Sequence, residues 1–219
     1  MNKTKIEWCD VTLNPVVGCT YGCEYCYARK MNQRFGWIKD FSKPQFFPNK
    51  LKKLESKKPQ VVFMNSLSDI ADWKEEWICE TDFAMEKYPQ HNYLFLTKRF
   101  DDFIEKFGYT DYMTRQDCMI GLTVDTQSRI DKSIYVPDFL SIEPILEPIK
   151  LDIKLFYSGF IKWVIIGAET GNRKGKIVPK KEWVDNIVTA CDLANVPVFM
   201  KDSLIQIVSE ENMRREFPW

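Results

Sequence analysis

Six short apolar runs, separated by amphipathic stretches, set the strongest limit on how this 219-residue chain can fold. They are VVFMN at 61–65, YLFLT at 93–97, CMIGLT at 118–123, DFLSIE at 138–143, WVIIG at 163–167 and PVFMK at 197–201. Such runs, apolar in their centres and bounded by polar residues, read as buried strands, and the stretches between them as helical crossovers of a parallel sheet. A first strand is expected near TLNPVVG at 12–18. Phe100, Phe103, Ile104 and Phe107 follow helical spacing, as do Trp183, Val184, Ile187, Val188 and Cys191, and a helix between Trp73 and Tyr88 is expected to turn Trp77, Ala84 and Met85 inward. Between Thr123 and Asp138 there is room for only about two helical turns, at TQSRIDKS. The expected fold is α/β, a partial or complete (β/α) TIM-like barrel of six or seven parallel strands, in a single domain over 1–219. A GxGxxG dinucleotide signature is absent.

In such folds the carboxyl ends of the strands form the working face. Here those ends are polar: Asn65, Ser66, Ser68 and Asp69; Thr97, Lys98 and Arg99; Thr123 and Asp125; Ser141 and Glu143; Glu169, Thr170 and Arg173; Lys201 and Asp202. One polar residue at a strand end is ordinarily a cap or a turn former. The recurrence at every strand is what marks a site. Glu143, set in an apolar neighbourhood just before Pro144, needs a partner if buried. The loop GAETGNRKGK, continued by Lys180 and Lys181, has the small and basic residues of an anion-contacting segment, a composition that a solvated loop shares.

Thirty-one basic residues balance 31 acidic ones, so no global field attracts polyanions, and any nucleic-acid contact has to be local. The start of the chain lacks the apolar core of a signal peptide, and no run of about 18 apolar residues follows. A cytoplasmic protein with no membrane span is expected. In that reducing setting an odd number of cysteines, seven, is poor evidence for disulfides, and those that cluster point to a metal. Cys79, Cys118 and Cys191 lie in apolar stretches and read as small core residues, and Trp8 as a packing anchor. Asn14, before Pro15, is placed to shape the turn leading to GCTYGCEYC.

That stretch sets Cys19, Cys23 and Cys26 in C-x3-C-x2-C spacing. Thiolates suit zinc or iron–sulfur clusters. Cys9 could complete a four-thiolate zinc site, whereas His91, the only histidine, has no paired ligand and reads as solvated or capping. Three thiolates on a cubane would instead leave one iron open, as substrate-binding chemistry requires.

The segment CTYGCEYC resembles the CxxxCxΦC motif of radical S-adenosylmethionine enzymes. The resemblance implies a [4Fe-4S] cluster on Cys19, Cys23 and Cys26, S-adenosylmethionine chelated at the fourth iron, an external electron donor, and a 5′-deoxyadenosyl radical that abstracts hydrogen from substrate. It places Tyr25 beside the adenine, and the strand-end pattern then offers Ser66 and Ser68 to the methionyl part, Lys98 or Arg99 to a carboxylate, and Thr123 with Asp125 to the ribose. Glu143, Glu169, Arg173 and Lys201 would face substrate, with a nucleic acid or nucleotide, modified or repaired, as the expected class. Over nearly its full length, through KIEWCDVTLNPVVGC, MNSLSD, FLTKR, GLTVD, LSIEPILEPI, WVIIGAETG and VFMK, the chain is similar to a phage- and mobile-element-associated three-cysteine-motif family of unknown function. Its members are sometimes encoded beside a three-cysteine-motif partner protein. Threonine is common in that family where this chain has Cys9, and NSLSD stands where radical enzymes usually carry a GGE-like sequence. The rival expectation is a zinc- or cluster-stabilised interaction module that works with a partner and performs no radical chemistry.

Overall fold

The structure, a computed structural model, describes residues 2–108 and 115–219. Two compact units are present, Met1–Ile120 and Gly121–Trp219. The fold is α/β, a partial TIM-like (β/α) barrel with seven parallel strands in the sheet.

In the first unit, β1 (Asn2–Lys3) pairs antiparallel with β2 (Val11–Thr12), and β2 runs parallel to β5 (Val61–Phe63) and β5 to β6 (Asn92–Thr97). The expected first strand is split. After Thr12 the chain passes through Leu13, Asn14 and Pro15 and forms β3 (Val16–Val17), which pairs with β4 (Gln45–Phe46) in a separate small sheet. Proline has no N–H for a ladder, so the break falls where the sequence cannot continue pairing. Helix α1 (Tyr27–Phe35) follows the cysteines and stops at Gly36, whose φ of 64° is the left-handed conformation of a helix end.

Helix α2 (Glu75–Glu86) buries Ile78, Thr81 and Met85. Its buried line is thus rotated from the expected one: Ala84 is half-buried, and Trp77 stacks on Phe46 at 5.7 Å. Cys79 is exposed on this helix, contrary to its reading as a core residue. Helix α3 (Phe100–Phe107) turns Phe100, Phe103 and Ile104 inward as expected. Trp8 is buried against Phe63. His91 is also buried, with its Nε2 3.0 Å from the Leu54 carbonyl, so it is a core residue rather than a solvated one.

Strand β7 (Cys118–Thr123) crosses the boundary between the units. In the second unit it pairs in parallel with β8 (Phe139–Ile142), β8 with β9 (Trp163–Ile166) and β9 with β10 (Val198–Met200). The crossover after β7 holds only α4 (Gln127–Lys132), the short element that TQSRIDKS allows. Helix α5 (Lys181–Ala194) buries Val184, Ile187 and Cys191. Along the far side of β10 the chain returns: Met200 N donates to Arg214 O, Glu216 N to Val198 O, and the Phe217 and Trp219 rings pack on Trp163. This covers the backbone of a strand that would otherwise be an open edge.

Gly121 in β7 has no room for a side chain, because a Cβ there would lie 2.6 Å from the Phe139 ring. Gly121→Ala should therefore destabilise the protein by about 1–3 kcal/mol, read as a lower midpoint of thermal unfolding; an unchanged midpoint would show that the ring moves freely.

Candidate functional site

The cysteine loop of the first unit is held at its start by main chain. Gly18 N donates to Leu67 O at 3.0 Å and Cys19 N to Phe41 O at 2.8 Å. At Gly18, φ is 115° and a Cβ would come within 2.8 Å of the Pro44 Cα, so only glycine fits this approach. Asn14 does shape the turn, since its Oδ1 accepts from Leu67 N at 2.8 Å and from the Ser66 hydroxyl at 3.1 Å.

Side chains fix the middle of the loop. The Asp72 carboxylate accepts from Thr20 N at 2.8 Å and from the Thr20 hydroxyl at 2.7 Å, and it pairs with Arg99 at 2.7 Å. Burial alone would raise the Asp72 carboxyl, but hydrogen bonds from Arg99 and Thr20 outweigh it and hold the group below the usual range. Asp69 is buried beside it and accepts from the Thr97 hydroxyl at 2.6 Å, Ala71 N at 3.0 Å and Lys98 N at 3.1 Å. Burial pushes its carboxyl up against these donors.

Cys19, Cys23 and Cys26 are half-buried and outside any disulfide. Cys19 and Cys26 pack against Val17, Ala28, Ile38, Phe41 and Leu67. Each of these two sulfurs accepts a backbone N–H, Cys19 from Tyr21 at 3.4 Å and Cys26 from Arg29 at 3.3 Å. Cys26 is also the N-cap of α1, where the helix dipole favours negative charge. Burial, with the Asp69 charge adding to it, pushes the Cys19 thiol up to about 12. The free thiol is therefore protonated at neutral pH, and a metal that binds it must displace the proton.

The donors on this loop are soft thiols, which suit zinc or an iron–sulfur cluster. Four sulfurs around one zinc lie about 3.8 Å apart, given Zn–S bonds of about 2.3 Å. Among the described residues no three His, Cys, Asp or Glu side chains are grouped to hold one metal ion. The Cys9 thiol is directed instead to the Ile6 carbonyl, 3.9 Å away. Two of the three sulfurs already accept a backbone N–H, a setting that thiolate ligands of zinc and of iron–sulfur clusters share.

The other expected cofactor residues of this unit divide in two. Lys98 and Tyr25 meet, with the Lys98 ammonium 5.3 Å from the Tyr25 ring centroid. Ser66 and Ser68 instead serve the scaffold: Ser66 donates to Asn14, its carbonyl accepts from the Tyr27 hydroxyl at 2.6 Å, and the Ser68 hydroxyl accepts from the Trp73 indole at 3.0 Å. Asp72, Thr20 and Tyr27 were not legible as loop contacts in the sequence, because their partners lie 39 to 52 residues away.

In the second unit the strand-end charges neutralise one another. Glu143, after β8, pairs with Lys201, after β10, and Gly167, after β9, leaves room for both, since a Cβ there would meet the Lys201 side chain at 3.1 Å and that of Glu143 at 3.4 Å. Glu169 takes a two-pronged pair from Arg173 at 2.7 and 2.8 Å. Asp125 is buried and paired with Arg129 of α4, while Thr123 ends β7 half-buried. All four residues expected to face substrate thus form two ion pairs at neighbouring strand ends.

Hydrogen bonds from Arg173 hold the Glu169 carboxyl below the usual glutamate range. Glu169→Gln should cost about 1–3 kcal/mol at neutral pH. A depressed carboxyl contributes stability above its unfolded value of about 4.3, and that contribution fades as pH falls through the lower folded-state value. Denaturant titrations of both proteins at neutral and acid pH check this; a penalty that does not shrink in acid would discount the pair.

Among the described residues no helix is long and apolar enough to cross a membrane. A family model described as "Protein of unknown function (DUF5131)" matches residues 3–212, nearly the whole chain. No curated protein and no solved structure matches the sequence.

Proposed function

The chain belongs to the DUF5131 family, and from its cysteine loop we propose that it is a radical S-adenosylmethionine enzyme. Cys19, Cys23 and Cys26 would hold a [4Fe-4S] cluster. With S-adenosylmethionine bound, that group supplies one-electron cleavage of the sulfonium, the electron coming from an external donor and the products being methionine and the 5′-deoxyadenosyl radical. One observation carries the reading: three half-buried cysteines share one loop, and the sulfurs of two of them already accept backbone N–H bonds.

The chain's own residues then have definable tasks. Tyr21 N–H and Arg29 N–H draw electron density from the Cys19 and Cys26 sulfurs, which tunes the reduction potential of anything those sulfurs bind. Asp72 and Arg99 hold the Thr20 segment so that the thiols keep their spacing. Tyr25 offers a ring face, and Lys98 beside it offers a cation for a carboxylate. A nucleic acid or nucleotide is the substrate class carried by this reading, and a three-cysteine-motif protein its candidate partner.

Anaerobic reconstitution should give about four iron and four sulfide per chain, and reduction in the presence of S-adenosylmethionine should release 5′-deoxyadenosine. Cys23→Ala should abolish both. Cys118→Ala, at a buried thiol of β7, should leave both intact at a small cost in stability. Equal cleavage by the two variants, or one tightly bound zinc per chain in place of iron, would sink the reading and favour the interaction module.

A further inference from the structure

The chain's zero net charge conceals a segregation. Ten of its 31 basic residues but only two of its 31 acidic ones fall between residues 29 and 58, which leaves 21 basic against 29 acidic elsewhere. This segment includes most of α1, the β4 strand and the 3-10 turn Pro48–Glu55. Lys43 pairs with Asp40 at 3.6 Å; among the described residues no carboxylate forms an ion pair with Lys30, Arg34, Lys52, Lys53, Lys57 or Lys58.

Part of this charge is organised around exposed rings. The Arg34 guanidinium lies 5.2 Å from the Phe35 ring, and Phe35 stacks on Trp37 at 5.4 Å with the planes 21° apart. These rings are 54% and 39% exposed, the reverse of what core packing would give. Trp37 in turn lines a concave pocket of about 200 Å³, together with Lys50, Lys53 and Asn14, and no acidic side chain lines it. Lys50 is steadied by donating to the Asn14 carbonyl at 2.9 Å and lies over the Phe47 ring at 4.6 Å. Arg34, Phe35, Trp37, Lys53 and Lys50 therefore make one continuous strip of cations and ring faces.

We propose that this strip binds single-stranded nucleic acid, with bases on the Phe35–Trp37 rings and backbone phosphate in the Lys50–Lys53 pocket. Ring faces beside a positively charged groove are how such strands are held without sequence preference. A duplex buries the base faces that the rings would use. Anionic lipid would require apolar groups projecting into the acyl region, whereas these lysines line a concavity. DNA and RNA share the recognised chemistry. The inference goes beyond the radical reading and does not depend on it, since binding requires neither iron nor cofactor.

The test uses the full chain without S-adenosylmethionine and follows fluorescence anisotropy of end-labelled single strands of about 20 nucleotides, DNA and RNA, beside the matching duplex. Phosphatidylserine vesicles are assayed by co-sedimentation. Single strands should bind best, and more weakly as salt rises. Lys53→Glu should weaken binding and flatten the salt dependence by about one unit of slope, and Trp37→Ala should weaken it on the order of tenfold. Lys132→Glu, the same charge change at an exposed site of α4, should leave it unaltered. Circular dichroism confirms that each variant is folded, and Lys53→Glu, at an exposed position, carries the test if Trp37→Ala is not. No binding at low salt, equal losses from Lys53→Glu and Lys132→Glu, or duplex or vesicles bound as well as single strands would each overturn the proposal.

Discussion

Asp72 is the contact on which the candidate site depends. Its carboxylate ties Thr20, next to the first ligand candidate, to the element that follows β5, while its salt bridge to Arg99 joins both to the end of β6. A loop of three cysteines has little regular structure of its own, so its geometry must be imposed from outside. Here it is imposed by one charged side chain with three donors and by the Gly18 and Cys19 amides. At Cys19, burial first and the nearby Asp69 charge second disfavour negative charge on the free sulfur.

Much of the fold was legible in the sequence, for a simple reason. Strands β5 to β10 are apolar runs buried on both faces, so their signal is the run itself and needs no knowledge of neighbours. The three-residue β5 and β10 show that the apolar run outlasts the paired segment. Where pattern depended on a specific neighbour, the expectation missed. The buried face of α2 is set by what Phe46 offers Trp77, and the burial of His91 by a carbonyl 37 residues earlier. The split of the first strand was written in Pro15, although the pairing of Val16–Val17 with Gln45–Phe46 was not, because a two-residue strand carries no period.

The strand ends divide along the same line. Which residues are polar could be read directly, whereas what each one does was fixed by its partner. Ser66 and Ser68 turned out to hold the scaffold, Glu143 found its needed partner in Lys201 at a separation of 58 residues, and Glu169 found Arg173 only four residues on. In the second unit the result is a row of neutralised pairs rather than open charges. Such pairs can open toward a charged ligand only by giving up the bond they already have, which raises the selectivity demanded of that ligand.

The position of Cys26 makes the three thiols unequal as experimental handles. Its sulfur begins α1 by accepting the Arg29 amide, a task that an oxygen performs better than a sulfur. Alanine at this position would strip away two functions together and leave the outcome ambiguous. Serine would improve the start of the helix while discarding the soft donor, so the two contributions can be pulled apart at a single atom.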